Sequence, residues 1–171
     1  MRLRREAIVT DNNVNYYNTL QAALDAAANN ASITSVTLGQ DLTEDVTFSG
    51  SAAGSLTLNM NGHKLETEAG VPLTVTGGTL TVDSADDALH AGTDVTISGG
   101  TLTLATGDDG VHADNDLVIG TKGASSTSTP RINITASYEG LEGTTVTVYS
   151  GDIDVVASDD GVNAANSTLG E

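Results

Sequence analysis

Apolar and polar residues alternate along most of the chain from Ile33 onward. The segments LTLNM from Leu56, LTVTGGTLTV from Leu73 and VTISGGTLTLA from Val95 mostly place apolar side chains at every second position, with Thr, Ser or Asn between them. A period of two residues is typical of a strand with one buried face. Gly pairs and Asp or Asn residues separate such segments, so the pattern predicts many short strands joined by tight turns.

One segment has the period of a helix instead. NTLQAALDAAANN runs from Asn18 to Asn30, and Asn18 is suited to cap its first turn. Its apolar side chains share one narrow face: Leu20, Ala23, Leu24 and Ala27. Because a long β region follows directly, we expect this helix to cover the open end of a stack of strands.

An acidic phrase occurs four times in the second half of the chain. It reads DDALHAG from Asp86, DDGVHAD from Asp108, YEGLEGT from Tyr138 and DDGVNAA from Asp159. Successive copies begin 22, 30 and 21 residues apart, and the longer interval contains an inserted loop that we assign to residues 120–130. A unit of about 22 residues with three strand-like pieces matches one coil of a right-handed parallel β-helix.

The expected fold is therefore all-β, a right-handed, single-stranded parallel β-helix or solenoid of about six coils. We divide the chain into an N-terminal tail at residues 1–14, a capping helix at 15–30 and one solenoid domain at 31–171, truncated or continuing further. Coils that repeat in register stack their apolar positions as ladders. The predicted ladders are Leu89, Val111, Leu141 and Val162; Val95, Leu117 and Val146; and Leu102, Ile132 and Ile153.

The charge balance limits the partners that the chain can bind. The net charge is −17, from 23 acidic and six basic side chains. Such a surface repels phosphate backbones and anionic lipid, which disfavours nucleic acid and membrane surfaces and leaves cations, or ligands bridged by cations. Cys is absent, so disulfides and thiolate sites are excluded. The sequence contains neither an apolar run of roughly 18 residues nor an intact secretory signal.

Stacking in register would bring the acidic phrases together. Successive strands lie about 4.8 Å apart, and two carboxylates at that distance repel by roughly 3 kcal/mol at an effective dielectric of about 20. Turn chemistry is one interpretation, since Asp bonds the backbone and Gly supplies positive φ. Calcium, which takes about six to eight oxygen ligands, is the other, and the two are compatible. The columns are Asp87, Asp109, Glu139 and Asp160, and beside them Asp86, Asp108 and Asp159.

A further column points outward, because the residue before each member is apolar and faces the core. It contains His90, His112, Glu142 and Asn163. Two His about 5 Å apart beside a Glu could ligate Zn²⁺, but no compact His motif supports this and the column changes identity along its length. We expect solvent-facing or sugar-contacting residues here. The candidate carbohydrate-binding residues are His90, His112, Arg131, Tyr138, Glu142 and Asn163.

The phrases DDALHAGTDVTISGG, DDGVHADNDLVI, YEGLEGTTVTV and DDGVNAA resemble a bacterial family of parallel β-helix carbohydrate-binding proteins known from clostridia, related in fold to pectate lyases. The resemblance covers residues 77–166. It implies an extracellular or cell-surface protein that binds Ca²⁺ through acidic turns and binds acidic plant polysaccharide such as polygalacturonate, with cellulose also implicated. By this resemblance the candidate calcium ligands are Asp86, Asp87, Asp108, Asp109, Glu139, Asp159 and Asp160.

Two other classes of function compete with a binding module. A pectate lyase needs a basic side chain as the proton acceptor, and outside the N-terminus only Lys64, Lys122 and Arg131 are available. We therefore expect no enzymatic activity. The second alternative is a structural or self-assembling subunit of a surface or filament, in which open strand edges join copies end to end as a homo-oligomer.

Overall fold

The structure, a computed structural model, describes residues 8–44, 46–48, 50–61, 63, 65–66, 70–124 and 129–165. Helix α1 spans Leu20–Asn29. The strands among these residues are β1 Val9–Asp11, β2 Tyr16–Tyr17, β3 Ser35–Leu38, β4 Leu42–Thr43, β5 Thr47–Phe48, β6 Leu56–Asn59, β7 Leu65–Glu66, β8 Leu73–Val75, β9 Thr79–Asp83, β10 Leu89–Ala91, β11 Val95–Ile97, β12 Thr101–Ala105, β13 Val111–Ile119, β14 Arg131–Ala136, β15 Leu141–Val148, β16 Asp152–Val155 and β17 Val162–Ala164.

The described strands form two large sheets and one small sheet. The eight-stranded sheet has the order β16-β14-β12-β9-β6-β3-β1-β2. The seven-stranded sheet has the order β17-β15-β13-β11-β8-β5, and β10 also pairs with β13. Strands β4 and β7 pair separately. The sheets are mostly parallel, while β1 is antiparallel to β2 and β3. Their apolar faces contribute to one buried cluster.

This architecture corrects the expected fold class. The prediction of a right-handed, single-stranded parallel β-helix is wrong, because the described strands form an eight-stranded and a seven-stranded sheet, with a pair of strands and one helix. In the second and third repeats the first two strand-like pieces of the unit form one strand, β13 or β15, whereas in the first repeat they are the separate strands β10 and β11. β13 is continuous over nine residues and pairs with both β10 and β11, and a β-bulge lies between Ala113 and Asp116. Two pieces that the sequence separated therefore belong to one bent strand.

The predicted ladders are confirmed. Parallel pairing aligns Leu89 with Val111, then with Leu141 and Val162. The other two ladders have the predicted partners as well, and the pairing of β12 with β14 continues across the longer interval in the repeat. Aliphatic side chains that stack directly on one another bury apolar surface in the inner repeats, so the alternating pattern fixes the register.

The helix has the predicted buried face but a different cap. Leu20, Ala23, Leu24 and Ala27 are buried. The N-cap is Thr19 rather than Asn18: its Oγ1 accepts a 3.2 Å hydrogen bond from the Ala22 amide. The helix contacts β1, β2 and β3 at the antiparallel end of the eight-stranded sheet. Strand β1 lies in the segment that the sequence assigns to a tail, and it extends this sheet.

Candidate functional site

The acidic phrases form four stacked turns that precede β10, β13, β15 and β17. Backbone hydrogen bonds of 2.9 Å connect the turns of neighbouring repeats. In these bonds Ala88 donates to the Asp109 carbonyl, Gly110 to Glu139 and Gly140 to Asp160. The turns are therefore held one strand spacing apart, and their acidic side chains share one edge of the seven-stranded sheet.

Two glycines of these turns, Gly110 and Gly140, are needed for space rather than for positive φ, which corrects the turn interpretation at these two positions. Gly110 and Gly140 do not have positive φ values. A Cβ atom on Gly110 would lie 2.5 Å from the Gly140 carbonyl oxygen and 2.6 Å from Ile134 Cδ1. A Cβ on Gly140 would overlap the Gly161 carbonyl oxygen. Glycine permits the close approach that stacks the carboxylates.

The inner acidic column bonds to the backbone of the following repeat. Asp87 Oδ1 accepts a 3.0 Å hydrogen bond from the Asp109 amide, and Asp109 Oδ1 accepts one of 3.3 Å from the Glu139 amide. Asp109 is buried, with 6% of its surface exposed. Asp160 occupies the equivalent place in the last repeat and is exposed. Turn chemistry thus accounts for Oδ1 of Asp87 and of Asp109, whereas their Oδ2 atoms face side chains of the outward column.

The outer acidic residues Asp86, Asp108 and Asp159 are exposed. Asp86, Asp87 and Asp108 each place a carboxylate oxygen within 4.8 Å of the others. Desolvation, and then the charges of Asp109, Asp87 and Asp86, raise the pKa of Asp108 above its ordinary value. A hydrogen bond from the exposed Tyr138 hydroxyl to Asp159 raises the pKa of Tyr138. The outer carboxylates of the first two turns therefore form a crowded anionic group open to solvent.

The outward column begins with two stacked imidazoles. The ring centroids of His90 and His112 lie 4.5 Å apart, with 20° between the planes. The Nδ1 atoms of His90 and His112 lie 3.6 and 3.4 Å from Asp87 Oδ2. His112 Nδ1 also lies 3.5 Å from Asp109 Oδ2 and 3.6 Å from Glu142 Oε2. The outward column and the inner acidic column therefore form one connected cluster.

These contacts change the proton affinity of the cluster. The hydrogen bond to Asp87 raises the pKa of His112 to about 9, against the effect of burial and with help from the charges of Glu142, Asp87 and Asp109. A hydrogen bond with Asp109, followed by burial, raises the pKa of Glu142 to about 7. The raised pKa favours the imidazolium form of His112, which neutralises part of the acidic column.

At the other end of the column, an amide takes the place of the imidazoles. Asn163 Nδ2 donates to both carboxylate oxygens of Glu139, at 2.8 and 3.0 Å, and lies 3.4 Å from Glu142 Oε1. Glu139 and Glu142 are half-buried. The structure thus brings Glu142 and Asn163 together with the His pair, as the outward column predicts.

Comparison with known proteins gives one match. The sequence model of a family described as carbohydrate-binding domain-containing protein matches residues 15–110, more than half of the chain. The chain belongs to this family. The match covers α1 and the first two acidic turns, including Asp86, Asp87, Asp108 and Asp109. No curated protein and no solved structure matches the chain.

In this carbohydrate-binding domain, Arg131 lies apart from the acidic turns. It begins β14, whereas the turn with Tyr138 and Glu139 follows the end of that strand, about 20 Å away at 3.3 Å per residue. Its Nη2 atom forms an ion pair of 3.0 Å with Asp152 Oδ2 on β16. The structure therefore does not group Arg131 with the other candidate residues.

Sequence reasoning missed Asp114. Its Oδ1 lies 3.2 Å from His90 Nε2 and 3.7 Å from His112 Nε2. A signal was present in DDGVHAD, because residues 112 and 114 are two apart in a strand and share a face.

Within the part of the carbohydrate-binding domain that the structure describes, the helix is too short to cross a membrane.

Proposed function

We propose that this domain is a non-catalytic, extracellular module that binds acidic polysaccharide through Ca²⁺ held at its acidic turns. The observation that carries the proposal is the approach of Asp86, Asp87 and Asp108 to within 4.8 Å of one another. All three lie in the part of the chain that matches the carbohydrate-binding family. Calcium prefers carboxylate oxygens and takes about six to eight ligands, so three protein oxygens leave positions for the sugar.

Charge supports an acidic ligand bridged by a cation. A protein of net charge −17 repels a uronate polymer in the absence of a counter-ion. A Ca²⁺ ion at the exposed outer carboxylates can share its remaining positions with a uronate carboxylate, which converts repulsion into attraction. Stacked repeats at a fixed spacing also suit a polymer better than a single small sugar.

The outward column supplies the polar contacts for the chain of sugars. His90, His112, Glu142 and Asn163 follow one another across adjacent strands. Tyr138 is 49% exposed at the edge of the same surface and offers a ring for sugar contact. The polysaccharide would therefore lie across the strands, with its carboxylates toward the acidic turns.

The test is retention of the protein by polygalacturonate in affinity gel electrophoresis, with Ca²⁺ and with a chelator. The variant Asp86→Asn/Asp108→Asn removes two proposed ligands. Asp25→Asn/Asp154→Asn is the control that removes the same charge, because Asp25 is exposed on α1 and Asp154 is exposed on β16 in the other large sheet. We expect retention of the wild-type and control proteins only with Ca²⁺, and loss of retention in the double variant. Retention that persists in chelator would contradict the proposal.

A second candidate function is end-to-end assembly, which the last described strands favour. Val148, Val156 and Val162 are at least half exposed, whereas Leu89, Val111 and Leu141 in the ladder of Val162 are buried. A second copy that pairs with this edge would cover them. Sedimentation velocity tests this candidate: concentration-dependent oligomers that Val162→Asp abolishes support it, and a monomer at all concentrations contradicts it.

A further inference from the structure

The stacked imidazoles of His90 and His112 are enclosed between two carboxylates. Strands β10 and β13 hold the two residues as direct partners in a parallel pair. Both Nδ1 atoms face Asp87 Oδ2, and both Nε2 atoms face Asp114 Oδ1. Each carboxylate therefore approaches both rings, and each from the opposite side.

We propose that Asp87, His90 and His112 bind one late transition-metal dication such as Zn²⁺, and that Asp114 positions the two imidazoles. Imidazole nitrogen suits Zn²⁺, Cu²⁺ and Ni²⁺, whereas Ca²⁺ takes oxygen ligands. The site is thus chemically distinct from the proposed calcium site, although the two share Asp87. With this ion bound, both ring nitrogens of each imidazole are occupied, so Asn163 and Tyr138 remain for the sugar contacts of the proposed function.

The spacing of the ligand atoms fits tetrahedral coordination. Asp87 Oδ2 lies 3.6 Å from His90 Nδ1 and 3.4 Å from His112 Nδ1. Bonds of about 2.0–2.2 Å to a tetrahedral Zn²⁺ place neighbouring ligand atoms about 3.3–3.6 Å apart. The ligand atoms of Asp87, His90 and His112 all lie within 4.8 Å of one another. The two rings are stacked with 20° between their planes, so one ion can bind all three atoms once the imidazoles rotate to direct both Nδ1 lone pairs toward it. Asp109 Oδ2 or Glu142 Oε2, at 3.5 and 3.6 Å from His112 Nδ1, is within reach as a fourth ligand.

Asp114 supplies the second set of contacts that a histidine metal site needs. A ligating imidazole usually donates its other ring N–H to a carboxylate, which fixes the tautomer and the ring orientation. Asp114 Oδ1 is placed to accept from His90 Nε2 at 3.2 Å, and it lies 3.7 Å from His112 Nε2, so a small shift would let it accept from that ring as well. Protons on the Nε2 atoms leave both Nδ1 lone pairs directed toward Asp87. The contacts of the exposed Asp114 carboxylate with His90 and His112 are an observation independent of the acidic turns.

Partial burial strengthens the case for a bound ion. The side chains of Asp87, His90 and His112 are 13%, 22% and 27% exposed. Solvent therefore screens the charges of Asp87 and its neighbour Asp109 only in part. A dication bound by both Nδ1 atoms neutralises more of this negative charge than one imidazolium can.

Titration of the untagged protein with Co²⁺ tests the site directly, because tetrahedral Co²⁺ absorbs visible light far more strongly than octahedral Co²⁺ does. We expect an intense visible band that saturates at one Co²⁺ per chain and disappears when Zn²⁺ is added. His90→Gln and His112→Gln should each abolish the band. His63→Gln is the matched control, since His63 is the third His of the chain and instead contacts Asp41, at 3.2 Å. This control should retain the band.

Asp114→Asn distinguishes the positioning role from a general effect on folding. Asp114 is exposed, so the variant should melt at the wild-type temperature. It should bind Co²⁺ about 10- to 100-fold more weakly, because loss of a carboxylate that orients a ligand typically has this effect. Wild-type affinity in Asp114→Asn would overturn its assignment as the positioning residue.

The double variant Asp86→Asn/Asp108→Asn separates this inference from the calcium proposal. It should lose Ca²⁺ binding and keep the Co²⁺ band. A band that is absent from the wild-type protein, or unchanged in His90→Gln and His112→Gln, overturns the transition-metal site and leaves the calcium proposal standing.

Discussion

Asp11 and Asp108 are aspartates in two regions of one molecule, and their surroundings are opposite. Asp11 is buried at the end of β1 and accepts hydrogen bonds from the Asn13 and Asn15 amides, from Asn15 Nδ2 and from the Tyr17 hydroxyl, at 2.8–3.0 Å. Burial acts to raise the pKa of Asp11, but these hydrogen bonds outweigh it and hold the pKa below its ordinary value.

Asp108 is surrounded by other carboxylates, whereas Asp11 is surrounded by hydrogen-bond donors. Desolvation and the charges of Asp109, Asp87 and Asp86 raise its pKa. One carboxylate therefore completes a local hydrogen-bond network, whereas the other adds charge to a group that is already anionic. Hydrogen bonds thus satisfy the charge of Asp11 within the protein, whereas the acidic turns bring like charges together, which supports the proposal that they bind a cation.

The largest expected effect on stability comes from disrupting the hydrogen-bond network of Asp11. Asp11→Asn replaces one acceptor oxygen by an NH₂ group that faces donors, which should lower the free energy of unfolding by about 3 kcal/mol. Urea denaturation measures this loss, which should be equal with and without Ca²⁺. Asp25→Asn is the control on the exposed face of α1, with an expected change within about 0.5 kcal/mol. An Asp11→Asn protein of wild-type stability would contradict the role of the network.

Calcium should stabilise the protein through the acidic turns and not through the Asp11 network. With free Ca²⁺ at about 100 times its Kd, the free energy of unfolding should rise by about 2.7 kcal/mol. Asp108→Asn should lose most of this increment, and Asp11→Asn should keep it, because the two sites share no contacts. Thermal melts in Ca²⁺ and in chelator give the comparison. An equal increment in both variants would show that Ca²⁺ acts elsewhere.

The Asp11 network should have a defined pH window. A lowered folded pKa for Asp11 gives stability that is present above its ordinary pKa of 3.8 and lost as the pH falls through the folded value. Burial and the bond to Asp11 raise the pKa of Tyr17 above 10.0, so its contribution is complete below pH 10.0 and is lost as the pH rises through the folded value. Tyr17→Phe should remove the alkaline loss and leave the acid loss. Urea midpoints across pH measure both.

The smallest expected effect is an increase in the free energy of unfolding rather than a loss. In chelator, Asp108→Asn removes a repulsive charge from an exposed position and should raise the free energy of unfolding by at most about 1 kcal/mol. Urea denaturation at low ionic strength measures it best, since salt screens the repulsion. Destabilisation in chelator would mean that Asp108 serves the fold rather than a ligand.

Much of the strand pairing could be predicted from the sequence. Leu89, Val111 and Leu141 are aliphatic at equivalent positions of the repeat, and burial of one face leaves a single register for them. The sheet arrangement could not be predicted. Asp114 and Asp116 have the composition of a turn, but a β-bulge uses the same residue types, and here they lie inside β13.

The candidate site divides in the same way. Repetition of the phrase predicts that Asp86 and Asp108 lie together, because spacing along the chain determines which residues stack. The sequence does not determine distances between residues of different repeats. It therefore could not predict that Asp114 contacts His90 or that Arg131 lies far from the turns. Similarly, only the structure shows that His112 lies close enough to Asp87 to neutralise it in part.

The most direct test of the proposed calcium site is isothermal titration calorimetry. A polygalacturonate oligomer is titrated into the protein with saturating Ca²⁺ and with chelator, beside the same oligomer with its carboxylates reduced to alcohols. The acidic turns predict saturable heat with the uronate oligomer in Ca²⁺ alone, and none with the reduced oligomer. Equal heats in Ca²⁺ and chelator, or equal heats from the charged and reduced oligomers, would contradict this account.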